Sequence, residues 1–134
     1  MKKLLFVLLG LVLLGSCSKQ SELTGNLTGT WYIYKLTLFN VDETTTTSRY
    51  LDTLSQYRIT FTGGGQFTEK TVLNLSTTHD TITNIGTWAF QSDYGQLTLT
   101  DTVYKLRVYT MLNLQGNHVE LLKDGETRYM RKTP

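Results

Sequence analysis

Few side chains in this sequence could do covalent chemistry, and the most informative of them is Cys17, the only cysteine in 134 residues. It follows a lysine pair at residues 2–3, an apolar run over residues 4–14 and two small residues at 15–16. These segments, in this order, are typical of a secretory signal peptide. The apolar run is too short for a membrane span, which needs about 20 residues. An ordinary signal peptide fits the first two segments equally well, but it does not require a thiol at the cleavage position.

The same arrangement resembles the signal of bacterial lipoproteins. The resemblance implies that residues 1–16 are a signal peptide cut off before Cys17. It also implies that the Cys17 thiol is diacylated, and that the new amino terminus often gains a further acyl chain such as palmitate. Two or three acyl chains anchor a protein stably in a membrane, whereas one chain is marginal. The resemblance therefore places the protein in the cell envelope. Ser18 is permissive for the outer membrane, and the choice between its periplasmic and surface faces stays open.

Composition excludes nucleic acid as a partner and favours a β-protein. The lysine pair at residues 2–3 accounts for the whole excess of 13 Lys and Arg over 11 Asp and Glu, so the rest of the chain is neutral and has no basic stripe. One proline, eight tyrosines and many threonines are typical of β-sheet proteins. Residues 17–27 are polar and lack periodicity, which predicts a lipidated tether ahead of a domain over residues 28–134.

Short segments with a period of two residues follow one another along that domain. Gly63-Gly64-Gly65 and Asp124-Gly125 are typical of hairpin turns. Polar loops are expected over 41–48 and 76–80. The pattern predicts an all-β protein with about eight antiparallel strands in an up-and-down meander that closes into a barrel. A two-sheet sandwich is the alternative, with crossovers in 41–55 and 74–81. The predicted strands are 31–39, 57–62, 67–73, 84–90, 97–100, 104–112, 119–122 and 126–131.

A Gly-x-Trp at the start of the first strand, Gly29-Thr30-Trp31, resembles the lipocalins. That resemblance implies that Trp31 plugs one end of the barrel and that a base from the last strand, Arg128 or Arg131, packs over it. Residues 61–67, Gly86-Thr87-Trp88 and residues 97–100 look like the short lipocalin-like domains of Gram-negative lipoproteins, and they suggest Trp88 as a second plug. The sequence shows no evident terminal helix.

No arrangement of residues predicts catalysis or metal binding. His79 and His118 are the only histidines, and both are expected on the surface. No Cys/His spacing suggests zinc, and no serine stands in a Gly-x-Ser-x-Gly turn. We therefore expect that the protein is not an enzyme and that it has no catalytic residue, no metal ion and no cofactor.

Three Asp-Thr-aliphatic triplets, at 52–54, 80–82 and 101–103, resemble an acceptor motif for periplasmic O-glycosylation. The resemblance makes Thr53, Thr81 and Thr102 candidate glycan sites, all in predicted loops. Asp-Thr is also ordinary turn chemistry, because an aspartate side chain accepts hydrogen bonds from its own turn. Both interpretations remain open at the level of the sequence.

Two functions are consistent with these patterns. In the first, a lipid-anchored barrel binds a small apolar or aromatic molecule. In the second, the barrel is filled by its own side chains, and its loops bind another envelope protein. A cavity opening at one barrel end would favour the first, and a solid core with an exposed apolar patch would favour the second. The candidate lining residues for the first are Ile33, Tyr57, Ile59, Phe61, Phe67, Phe90, Leu97 and Leu99.

Overall fold

A computed structural model of the chain describes residues 19–39, 46–50, 57–74, 79–91 and 95–132. Nine strands in these ranges form one antiparallel sheet in the order β2-β1-β3-β4-β5-β6-β7-β8-β9. Their bounds are β1 Gly29–Phe39, β2 Thr46–Tyr50, β3 Tyr57–Phe61, β4 Gln66–Asn74, β5 His79–Phe90, β6 Gln96–Asp101, β7 Lys105–Gln115, β8 His118–Lys123 and β9 Glu126–Lys132.

The sheet closes because its first and last long strands pair with each other. β1 runs antiparallel to β9 from Trp31↔Lys132 to Leu38↔Glu126. On the other side of β1, β3 pairs with residues 29–32 and β2 with residues 35–39, so these two short strands together fill one position. The eight strands β1 and β3–β9 therefore form a closed antiparallel barrel, which confirms the predicted fold class and excludes the sandwich.

A bulge in β1 explains why this strand is apolar on both faces. Trp31 and Ile33 are buried with the expected period of two. The register with β9 then shifts by one residue between Ile33 and Lys35, and Leu36 packs against the core. A bulge inserts one residue and exchanges the inward and outward positions beyond it. The inward residues of β1 therefore lie at odd-numbered positions before Tyr34 and at even-numbered positions after it.

Two polar segments that the sequence predicts as loops contribute strands. β2 lies partly within the expected loop 41–48, and β5 begins at His79, inside the expected connection 76–80. Threonine has a high β propensity, and an outward polar position needs no apolar partner. In β2, for example, the Ser48 hydroxyl lies 3.2 Å from the Thr37 hydroxyl of β1.

Residues 19–27 form a helix, which corrects the prediction of an aperiodic tether and of a chain without a terminal helix. The nine described residues of this helix are too few to form a stable helix in isolation, so tertiary contacts must hold them. Leu27 is completely buried in the core, and the Thr28 amide donates to the Thr24 carbonyl at 3.0 Å. Cys17 and the signal segment lie outside the described residues. Within those residues, no helix has the length and apolarity to cross a membrane.

Candidate functional site

One end of the barrel, here called the plug end, is closed by Trp31, Lys132 and the helix. The Trp31 ring is fully buried, and its Nε1 donates to the Leu27 carbonyl at 2.7 Å. The Lys132 ammonium lies 4.9 Å from the centroid of that ring and donates to the Asn26 carbonyl at 2.7 Å. The base over Trp31 is thus Lys132 and not one of the two predicted arginines. The β1–β9 register places Lys132 directly opposite Trp31.

Both Gly-Thr-Trp motifs mark close approaches of the backbone. Gly29 has φ +128°, and a Cβ there would lie 3.3 Å from Cε of Lys132. At Gly86 a Cβ would lie 2.1 Å from the Thr100 carbonyl oxygen, so no other residue fits. Trp88 is also buried near this end, where its Nε1 donates to the Thr62 carbonyl at 3.0 Å. Gly86 stands well inside β5 and not at the start of a strand.

Most of the residues predicted to line a ligand cavity fill the core instead. The side chains of these residues and of both tryptophans pack into one cluster, which fills the barrel from the plug end towards the opposite end. Phe90 is half-buried against the cluster and 5.5 Å from the Trp88 ring, measured between ring centroids. Of the eight, only Tyr57 contributes to the cavity at the opposite end. The residues at most 3% exposed are Ile33, Ile59, Phe61, Phe67, Leu97 and Leu99.

A cavity of about 290 Å³, here called the polar cavity, lies at the end of the barrel opposite the plug end. It reaches the surface, because Tyr104 in its wall is 55% exposed. Its wall combines aromatic rings with charged and hydrogen-bonding side chains. The lining residues are Tyr57, Glu69, Thr71, Ile82, Asn84, Tyr104, Arg107, Tyr109, Lys123 and Arg128.

The floor of the polar cavity is a buried ion cluster centred on Arg107. Its Nη1 donates to Glu69 Oε1 at 3.1 Å, and its Nη2 donates to Glu69 Oε2 at 2.8 Å and to Asp101 Oδ2 at 2.9 Å. Bidentate contacts of this kind are the strongest and most directional that a guanidinium makes. Asn84 Nδ2 adds a donor to Glu69 Oε2 at 3.4 Å. The cluster joins four strands, β4 to β7, across the inside of the barrel.

The two charges beside Glu69 are stabilised as ions. Burial raises the pKa of the Asp101 carboxyl, but hydrogen bonds from the Tyr104 amide, Asn84, Arg107 and the Val103 amide outweigh it, so the pKa lies below its usual value. Burial lowers the pKa of Arg107, but the hydrogen bonds and charge of Glu69, with further contributions from Tyr109 and Asp101, raise it above its usual value. Asp101 and Arg107 therefore both carry their charges at neutral pH.

Tyr57 connects this floor to the rim of the cavity. Its hydroxyl donates to Glu69 Oε1 and accepts from Arg128 Nη1 at 3.2 Å. The Arg128 guanidinium lies between two rings, with Cζ 5.6 Å from the Tyr57 centroid and 5.5 Å from the Tyr109 centroid. Its Nε donates to Glu126 at 2.6 Å. Arg131, by contrast, is exposed on the outer face, 5.4 Å from the Tyr34 ring.

Sequence reasoning missed the charged floor, although the pattern contained a signal for it. Phe67 and Tyr109 are inward-facing, so the residues two positions away, Glu69 and Arg107, must also face inward. Charged residues are almost never fully buried unless they are paired. Two opposite charges at inward positions therefore predict an ion pair inside the barrel. Inward charges near the end of a strand are also candidate residues of a binding site.

The other residues singled out by the sequence lie away from the polar cavity. His118 is half-buried, with Nε2 2.8 Å from Glu120. Thr81 is exposed but lies in strand β5 and not in a loop, whereas Thr102 is exposed in the β6–β7 turn. In that turn Asp101 Oδ1 accepts from the amides of residues 103 and 104, which is ordinary turn chemistry. Thr53 lies outside the described residues. Among the described side chains, no group of three or more His, Cys, Asp or Glu could hold a metal ion.

Comparison with known proteins identifies the fold. No family model and no curated protein matches the sequence. A lipocalin-like protein from Bacteroides uniformis has a similar structure, with TM-score 0.65 and 15% identity over 81% of this chain and 99% of that chain. An uncharacterized protein from Bacteroides eggerthii gives TM-score 0.61 and 12% identity, covering 80% and 99% of the two chains. Lobster apocrustacyanin A1 gives 0.51 and 14%, covering 87% and 66%. The barrel is lipocalin-like.

Proposed function

We propose that this protein is a lipid-anchored envelope lipoprotein whose lipocalin-like barrel binds a small aromatic or apolar molecule in the polar cavity. The observation that carries the proposal is a cavity of about 290 Å³ with aromatic rings and convergent polar groups at one barrel end. Ligand sites are concave, and a few placed polar groups orient the ligand in them. The role is binding without catalysis, and the lipid is attached at Cys17.

The size of the cavity limits the ligand. The apolar cluster fills the barrel at the plug end, so six of the eight predicted lining residues are buried in the packed core and do not face a cavity. A volume of about 290 Å³ is near the lower limit of about 300 Å³ for ligand pockets. The proposed ligand is therefore a compact molecule of one or two rings, held against Tyr57, Tyr104 and Tyr109.

A cavity-filling substitution tests this function. Thr71 lines the cavity from β4, so Thr71→Trp should fill it. Thr68 lies on the same strand and lines a shallow groove on the outer face, so Thr68→Trp is the matched control. Calorimetric titrations would use two isosteric probes, 2-naphthoate and 2-naphthamide, on the chain from residue 18 onward, which retains every described contact. At least one probe should bind to wild type and Thr68→Trp but not to Thr71→Trp. Binding of neither probe, or equal binding to both variants, would contradict the proposal.

A second function is favoured by an apolar surface on the outer face. Ile85, Val103 and Leu106 are 64%, 65% and 62% exposed. Ile85 lies on β5, Leu106 on β7 and Val103 in the turn that joins β6 to β7, so the three residues lie on neighbouring elements at one end of the barrel. Such a surface fits an interaction protein that binds another envelope protein. A photo-crosslinker at residue 106 in intact cells should then capture one defined partner, and the same group at outward Thr60 should not.

A further inference from the structure

The wall of the polar cavity carries more positive than negative charge. Three cationic side chains line it, Arg107, Lys123 and Arg128, against one carboxylate, Glu69. Arg107 is paired with both Glu69 and Asp101, so the positive charge not balanced within this cluster comes from Lys123 and Arg128. The acids that pair with the other two cations, Asp124 and Glu126, are not part of the cavity wall. A molecule in the cavity would therefore meet Lys123 and Arg128, whose acidic partners are not part of the wall.

One of these cations keeps a donor group that a ligand can use. A guanidinium has five N–H donors, and the described contacts of Arg128 use only Nε and Nη1. Arg107 differs, because both of its Nη atoms donate to Glu69 or Asp101 and its Nε is buried out of reach of solvent. Arg128 can thus donate to an oxygen anion.

Aromatic rings hold these two guanidinium groups in place. Arg128 lies between the Tyr57 and Tyr109 rings, and Arg107 Cζ is 4.9 Å from the Tyr104 centroid. Stacking of this kind orients a guanidinium without using its N–H donors. The same tyrosines present flat surfaces on which a ligand ring can pack. Cations and rings therefore face one small volume together.

We infer that the polar cavity selects a small aromatic anion over its neutral counterpart. Its carboxylate or sulfonate oxygens accept hydrogen bonds from Arg128, and its ring packs on the tyrosines. This inference rests on the proposed function and adds the charge of the ligand. Lys123, at the rim, contributes attraction on approach that falls as the salt concentration rises.

The test compares 2-naphthoate with 2-naphthamide, which have the same ring and nearly the same shape but differ in charge. At low salt, wild type should bind 2-naphthoate about tenfold more tightly than 2-naphthamide, since one charge-assisted hydrogen bond strengthens binding by about a factor of ten. Arg128→Gln should remove most of this preference by weakening 2-naphthoate alone. Arg131→Gln, on the same strand but the outer face, is the matched control and should change neither affinity.

The outcomes separate this inference from the proposed function. Equal affinity of the two probes for wild type, with both blocked by Thr71→Trp, would overturn the selection of an anion and leave a cavity that binds neutral aromatic molecules. An equal loss of both affinities in Arg128→Gln would also overturn it, because that result would show damage to the cavity and not loss of a charge contact. A melting temperature of Arg128→Gln close to that of wild type would show that the variant is folded.

Discussion

Trp31 is the side chain at which three parts of the molecule meet. Its ring is buried among core residues, its Nε1 binds the last turn of the helix, and Lys132 from β9 covers it. The helix, the first strand and the last strand are therefore joined through one residue. Its neighbour Tyr32 lies on the outer face of the same strand and is only half-buried.

Trp31→Ala should lower the free energy of unfolding by about 3–5 kcal/mol, the usual cost of truncating a buried tryptophan. Because a small domain has a total stability of about 5–15 kcal/mol, the urea midpoint should fall sharply. Tyr32→Ala is the matched control on the same strand and should cost much less. A Tyr32→Ala protein less stable than Trp31→Ala would show that the inward face of β1 is the other one.

The stability of the folded protein should depend on pH through the carboxyl group of Asp101. Its pKa is lower in the folded protein than the unfolded value of about 3.9, so its charge stabilises the fold above pH 4. That contribution is lost as the pH falls through the folded pKa. Asp101→Asn should therefore cost about 1–3 kcal/mol at pH 7, and the difference from wild type should shrink in urea titrations below pH 4.

The control for Asp101 is Asp124→Asn, because the Asp124 side chain is 81% exposed in the β8–β9 turn. This variant should follow the wild-type stability curve from pH 7 to pH 3. If the deficit of Asp101→Asn stayed constant over the same range, the Asp101–Arg107 charge contact would not be the cause.

At the scale of elements, two glycines have opposite roles. Gly86 is required where β5 crosses close to Thr100 of β6, because a Cβ there would overlap the Thr100 carbonyl oxygen. Gly25 lies in the helix with no atom within 4 Å of the place a Cβ would occupy. The same substitution should therefore have opposite effects at the two sites.

Gly86→Ala should destabilise the barrel by about 3 kcal/mol or more, since a backbone oxygen cannot move aside cheaply. Gly25→Ala should stabilise the protein by about 0.5–1 kcal/mol, because alanine favours the helix. Thermal unfolding by circular dichroism measures both. A destabilised Gly25→Ala would show that residues 19–27 are not helical in solution.

At the scale of the molecule, the helix determines which end of the barrel would face a membrane. Gln20 and Thr24 share a shallow groove with the β3–β4 turn and Trp88, so the helix lies across the plug end. In the sequence Cys17 is two residues from Lys19, the first described residue of the helix, and two residues of chain span at most about 7 Å. A lipid on Cys17 would therefore hold the plug end towards the membrane and turn the polar cavity away from it.

Cys17→Ser should abolish lipidation and leave a precursor that is either uncut or soluble. The intact mass of the protein from its own membranes should exceed that of residues 17–134 by two or three acyl chains. The membrane fraction of the variant is the second readout. A variant that still reaches the mature mass and stays with membranes would contradict the lipoprotein interpretation.

The glycan interpretation is tested by three other variants. If Thr53→Ala, Thr81→Ala or Thr102→Ala lowers the intact mass of the native protein by more than the difference between the two side chains, that threonine carries a glycan.

The sequence by itself determined the closed meander and most of its core. Alternation with a period of two, glycine-rich turns and the early Trp31 are local signals, and each specifies a strand, a hairpin or an inward face without knowledge of the rest of the chain. The positive φ values of Asp124 and Gly125, for example, follow directly from the hairpin pattern in the sequence. All eight predicted lining residues face the inside of the barrel, six of them buried in its core, because the alternation of side chains along a strand decides which face each residue takes.

Only the tertiary structure decided what those inward residues do. The β1–β9 register selected Lys132 over the two arginines, and a bulge at Tyr34 shifted the inward face. The helix depends on burying Leu27, which no local pattern requires. The polar cavity brings together side chains from distant strands. Strand pairing between residues far apart in the chain determines which side chains meet, and no local signal encodes that pairing. The sequence therefore predicted a barrel, whereas its closure and packing filled the plug end with apolar side chains and placed paired charges at the other end.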